Sequence, residues 1–124
     1  MLETIIIGSG PAGCSAAIYL KRFNKDVMVI SSGDTALNTA HQIDNYYGFY
    51  NISGKELYQK GLEQLKALNV AVLDEVVTSI EYYNHFVVTT TNNTYEAKRV
   101  ILATGKARNK LKVKNARDYE LKGL

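Results

Sequence analysis

The chain has 124 residues, 46% hydrophobic and 22% charged, which suits one domain with a real core and excludes disordered and fibrous classes. Its single cysteine, Cys14, rules out an internal disulfide and a Cys-x-x-Cys redox pair within these residues, and a cytoplasmic setting is the expectation that follows. The net charge of +3 is uneven: residues 98–124 carry nine Lys/Arg against two Asp/Glu (+7), and residues 1–97 carry six against ten (−4).

In chain order, Thr4–Ile7 is a short β-branched run closed by Gly8, which predicts a buried strand. Met1-Leu2-Glu3 lacks a basic region and the apolar run Ile5-Ile6-Ile7 stops at a glycine, so no signal peptide is expected, and no apolar run approaches the ~18 residues of a membrane span. Pro11 suits the first turn of a helix, and good helix formers run from Ala12 to Phe23. Asn24 ends that helix, and Asp26–Ile30 makes a second strand. Two apolar strands joined by a helix require a right-handed parallel crossover.

Residues 31–53 are rich in Ser, Gly, Asn, Asp and Tyr and form a long connection of the kind that is usually functional. Ser53-Gly54-Lys55-Glu56 is a capping box. The helix it opens places Leu57, Gly61, Leu62, Leu65 and Leu68 on one face. "VAVL" from Val70 is a third apolar strand. "VVTSIEY", "FVVTTT" and "TYEA", on short turns, form a three-stranded antiparallel meander, and "VILATG" from Val100 is a fourth apolar strand. Together these predict a layered α/β domain: a parallel sheet with helices and an inserted meander.

The chemistry lies in Gly8-x-Gly10-x-x-Gly13, after a strand and opening a helix. Gly8 permits the tight turn, Gly10 lets backbone approach a pyrophosphate, and Gly13 lets helix and strand pack closely. The helix N-terminus then offers free N–H groups and a positive dipole end to the phosphates. The acid usually found about 20 positions on, which clamps a ribose, is missing. Ser31 stands there, so an ordinary NAD site is disfavoured.

These residues resemble a family. "IIIGSGPAG", "IDNYYGF" with "ISGKEL" after it, "DEVVTSIE" and "TYEAKRVILATGKARN" are similar to the N-terminal part of thioredoxin-reductase-like, FAD-dependent pyridine nucleotide-disulfide oxidoreductases. The resemblance covers essentially the whole chain and implies a Rossmann-like FAD-binding fold. It implies that Gly8, Ser9, Gly10, Pro11, Ala12 and Gly13 wrap the FAD pyrophosphate. Ser31 and Ser32 would line the adenosine ribose, Asn45 would touch the flavin end, and the Val76 backbone would meet adenine. Ala103, Thr104 and Gly105 would pass beside the cofactor. Two positions depart from the family pattern. Ala36 stands where a flavin-contacting glutamine is usual, and Tyr47 follows the aromatic residue where proline is usual. Both point to a divergent branch.

The resemblance divides the chain into residues 1–105, half of an FAD-binding domain, and 106–124, a basic connection toward a pyridine-nucleotide and dithiol domain that these residues do not include. The complete enzyme would take electrons from NAD(P)H or another donor through FAD to a dithiol and then to a thioredoxin-like protein. The 124 residues alone are expected to be inactive, as a fragment would be, and a homodimer is allowed. Two other readings stay open: an NAD(P)-binding Rossmann dehydrogenase, although no Tyr-x-x-x-Lys occurs among the nine tyrosines, and a non-catalytic dinucleotide-binding module.

The remaining signals are read as structural. Cys14, in the helix's first turn, is placed where a thiol pKa would be lowered, but a small side chain packed under the turn accounts for it equally well. His41 and His85 are isolated and suggest no metal. The tyrosines of "NYYGFY" either stack on a flavin or pin the loop. The basic tail has one aromatic, Tyr119, and no nucleic-acid motif, so a solvated segment is preferred to nucleic-acid binding.

Overall fold

A computed structural model describes residues 1–106, so the connection expected over 106–124 lies, apart from Lys106, outside the described residues. The described elements are β1 (Leu2–Ile7), α1 (Pro11–Arg22), β2 (Val27–Ser31), a 3-10 turn (Ala36–Thr39), α2 (Gly54–Ala67), β3 (Ala71–Asp74), β4 (Val77–Tyr82), β5 (Phe86–Thr90) and β6 (Thr94–Leu102). They form a single six-stranded sheet in the order β3-β2-β1-β6-β5-β4. The first four in that order are parallel, and β5 and β4 continue antiparallel.

The local chemistry explains most boundaries. Pro11 starts α1, which ends at Phe23, and Asn24 takes a positive φ of 58° to turn the chain toward β2. The Ser53 hydroxyl accepts the Glu56 N–H at 3.1 Å, and α2 follows from that cap. The 31–53 connection has some order of its own. It holds the 3-10 turn, an Ile43–Ile52 bridge and a Tyr46–Phe49 bridge.

One expectation is corrected. "TYEA" and "VILATG" are not separate strands: Thr94 to Leu102 is continuous. Lys98 and Arg99 break the apolar pattern, but both edges of β6 are paired and hold it extended. Ala97 faces Phe86 on one side and Leu2 on the other, and the pairing with β1 runs on to Ile7↔Leu102. The last strand of the meander is thus also the fourth parallel strand. A second difference concerns β3, whose apolar sequence is mostly exposed, because it forms the edge of the sheet.

The sheet has an apolar layer on each face. Ile6, Val27 and Val29 pack with Cys14 and Ala17 of α1 and with Leu65 of α2. Ile5, Ile7, Met28 and Ile30 point the other way and pack with Val88, Ala97 and Val77. Alternation along β1 and β2 produces both layers. The antiparallel arm contributes to the second layer and turns the β3–β4 connection back to the carboxyl ends of the parallel strands. There Glu75 N–H bonds the Ser31 carbonyl at 3.1 Å and Thr91 N–H bonds the Val76 carbonyl at 3.0 Å.

Candidate functional site

The glycine turn joins the end of β1 to the start of α1, and its three glycines do different work. A Cβ on Gly8 would lie 2.0 Å from the Ala103 carbonyl oxygen, and Gly8 has φ +111°, so the position is closed to other residues twice over. A Cβ on Gly13 would lie 1.9 Å from the Gly8 carbonyl oxygen. Gly13 therefore lets the helix approach the turn itself. Gly10 differs. Its φ of −70° and ψ of −170° suit any residue, and the nearest atom to an added Cβ is Thr35 Oγ1 at 3.2 Å. A side chain there would press on the Thr35 hydroxyl, and Gly10 itself lines a cleft, so the absence of a Cβ keeps the backbone available to a ligand.

No side chain caps the N-terminus of α1, and its first turn holds no acidic residue. Helix N-terminal N–H groups without an internal partner attract anions, and the helix dipole adds to the attraction.

Two clefts meet at this turn. An open cleft of about 270 Å³ is lined by Gly8, Ser31, Ser32, Val76 and Thr104, with Asp34 and Glu75 beside them. Five positions drawn from four distant parts of the sequence thus share one hollow at the carboxyl ends of the parallel strands, where open α/β sheets bind ligands. A smaller cleft of about 110 Å³ between α1 and α2 is lined by Ser9, Gly10 and Pro11 together with Tyr46, Phe49 and Tyr58. Ala12, Gly13, Asn45, Ala103 and Gly105 line neither cleft. Asn45 and Gly105 are exposed. Ala103 is tied to β1 through its N–H, which bonds the Ile7 carbonyl at 2.8 Å.

Two features of the site carry no local signal in the sequence. The buried Ser9 hydroxyl donates to Ser31 Oγ at 2.7 Å and lies 2.7 Å from the Tyr58 hydroxyl on α2. Glu75 accepts from the Thr90 hydroxyl at 2.5 Å and from the Tyr95 hydroxyl at 2.7 Å, which anchors the connection carrying Val76. Because the Tyr95 hydroxyl donates its hydrogen bond to the Glu75 carboxylate, the protonated phenol is favoured and its pKa lies above the ordinary tyrosine range. These contacts join residues 15 to 49 positions apart, so no periodicity or spacing reveals them.

Cys14 has a packing role. It is buried, donates to the Ser9 carbonyl at 3.1 Å and sits under Gly61 of α2. Burial raises its pKa, the opposite of the lowering considered for a helix N-terminus. His85 pairs with Glu96 at 3.1 Å across the β5–β6 pair, and His41 is exposed. Among the described residues no three His, Cys, Asp or Glu side chains converge as a metal site would need. Tyr46 stacks on Phe49 with ring centres 5.9 Å apart, whereas Tyr47 and Tyr50 are almost wholly exposed and pin nothing.

The model of the pyridine nucleotide-disulphide oxidoreductase family matches residues 2–124. The chain belongs to that family. Within it, a thioredoxin reductase of Ureaplasma parvum is 36% identical over 129 residues, covering 98% of this chain and 40% of the relative. The crystal structure of a thioredoxin reductase from Streptococcus pyogenes superposes with a TM-score of 0.85 at 42% identity, covering 91% of this chain and 38% of that one. A ferredoxin-flavin thioredoxin reductase from Clostridium acetobutylicum superposes with a TM-score of 0.80 at 40% identity, covering 89% of this chain and 39% of that one. The oxidoreductase family and the Rossmann-like α/β fold expected from the sequence are both found. The chain spans about 40% of the length of these disulphide oxidoreductases.

Proposed function

We propose that this chain is the FAD-binding portion of a thioredoxin-reductase-like flavoprotein. The observation that carries the reading is the uncapped N-terminus of α1 beside Gly10, which lines a cleft, with Ser31, Ser32, Val76 and Thr104 gathered along the adjoining one. A pyrophosphate on the helix N-terminus would gain charge-assisted N–H contacts. Ser31 and Ser32 would meet the ribose, and the Val76 backbone would meet the adenine edge. Ala12 and Gly13 would contribute their backbone to the pyrophosphate cradle. Asn45, Ala103 and Gly105 would serve the flavin side, with Asn45 reaching it from the 31–53 connection.

When bound, FAD would supply the electron-transfer chemistry, and the residues here bind and orient it. In the whole protein the donor would be NAD(P)H or another reduced carrier, and the acceptor a dithiol serving a thioredoxin-like partner. The reading includes a cytoplasmic setting, in which residues 106–124 connect to the remainder of the enzyme. The named relatives, one of them a ferredoxin-flavin thioredoxin reductase, support this reading over an NAD(P) dehydrogenase or a non-catalytic module.

The test is the visible spectrum of the purified chain, taken after addition of FAD and desalting. A retained flavin band, lost in Gly10→Val, is the expected result. A colourless protein whose melting temperature rises with NAD(P) but not with FAD would replace this reading with the dehydrogenase.

A further inference from the structure

We propose that Tyr58 is a positioning residue that fixes Ser31 as a hydrogen-bond donor toward the bound nucleotide, an inference resting on the dinucleotide reading above. Three hydroxyls form a row from α2, through the glycine turn, to the end of β2. Tyr58 lies 2.7 Å from Ser9 Oγ, and Ser9 Oγ lies 2.7 Å from Ser31 Oγ. Ser9 is 2% exposed and Ser31 8%, so neither exchanges partners freely with water. Each hydroxyl has one proton and two lone pairs. Ser9 donates its proton to Ser31, so the Tyr58–Ser9 bond is made with the tyrosine proton. Ser31 also accepts the Gly33 N–H at 3.0 Å. Both of its lone pairs are then taken, and its own proton is left for the cleft it lines.

The consequence is a reversed sense of the hydrogen bond to the ligand. The acidic residue usual at this position is an acceptor and requires a ribose O–H donor. Ser31 in this row offers a proton and requires an acceptor oxygen, such as that of a ribose hydroxyl. Tyr58 touches the row only through Ser9. It holds the Ser9 rotor and polarises the bond Ser9 makes to Ser31.

A double-mutant cycle on FAD binding by the 124-residue chain tests this, read by quenching of flavin fluorescence. Tyr58→Phe should weaken FAD about three- to five-fold in the presence of Ser31, and should change nothing further when combined with Ser31→Ala. An equal loss in both backgrounds, or affinity within twofold of wild type, overturns the proposal. The Gly33 amide, which bonds Ser31 Oγ, gives a readout without ligand. Its proton resonance should shift in Tyr58→Phe, while the Glu56 amide at the α2 cap stays in place. An unmoved Gly33 amide overturns the row. A shifted Gly33 amide in a chain whose melting temperature rises with NAD(P) but not with FAD upholds the row and overturns the cofactor reading instead.

Discussion

At the scale of single residues, the glycines of the turn separate folding from binding. Gly10→Val should cost about 1 kcal/mol, the difference between glycine and a β-branched residue at an N-cap, and still abolish flavin retention. Gly8→Ala should cost at least about 3 kcal/mol, because its Cβ meets the Ala103 carbonyl and its φ is +111°. Thermal melts together with flavin spectra distinguish the two, and equal destabilisation would contradict the separation. Cys14 gives a second residue-scale expectation. Its thiol pKa is raised by burial, so the folded chain keeps that proton at a pH where the unfolded chain has lost it. Stability from this group therefore falls as pH rises past the ordinary thiol range. Alkylation of Cys14 should be slow in the native chain at neutral pH and become fast on unfolding. Rapid native-state labelling would mean an exposed, reactive thiol.

Among the elements, the β3–β4 connection depends on Glu75. Its carboxylate holds Thr90 of β5 and Tyr95 of β6, and Tyr95 titrates above the ordinary phenol range in consequence. Tyr83 is also raised, by the Glu81 carboxylate that accepts its hydroxyl proton. Glu75→Gln should return one of these two late titrations to the ordinary range and leave the other, measured by tyrosinate absorbance. It should also weaken FAD several-fold, because Val76 loses its anchor. The elements themselves were largely legible in the sequence. Gly8, Gly10 and Gly13 announced strand, turn and helix, and Ser53 with Glu56 announced the start of α2, since these signals act within one or two turns of chain. The continuity of β6 was not legible, because Lys98 and Arg99 read as a break. What keeps that stretch extended is pairing with β1 and β5, a non-local effect. Of the site, the turn and Ser31 could be read, whereas Tyr58 and Glu75 act through contacts with distant segments.

For the molecule as a whole, the described cleft is formed by one layered domain, and the chain spans about 40% of its relatives' length. A flavin cradle alone should not carry electrons to a disulfide. The FAD-loaded chain is therefore expected to show no NADPH-dependent disulfide reduction, and a measurable rate in the 124-residue protein would contradict this. The mouth of the cleft is apolar, with Val76, Ile80 and Leu102 all exposed at its rim, a surface suited to the flat face of an adenine. The place of β6 in the sheet has a consequence for the order in which the protein is made. Gly8 is shaped by contact with Ala103, and β1 has its neighbour on that side only once Thr94–Leu102 exists. A nascent chain on the ribosome can pair β1 with β2 early, through a short crossover. The packing of the turn between β1 and α1 against Ala103 must wait for the last described strand to emerge. The last wall of the cradle is therefore supplied by the last described strand, although its glycines are among the first residues translated.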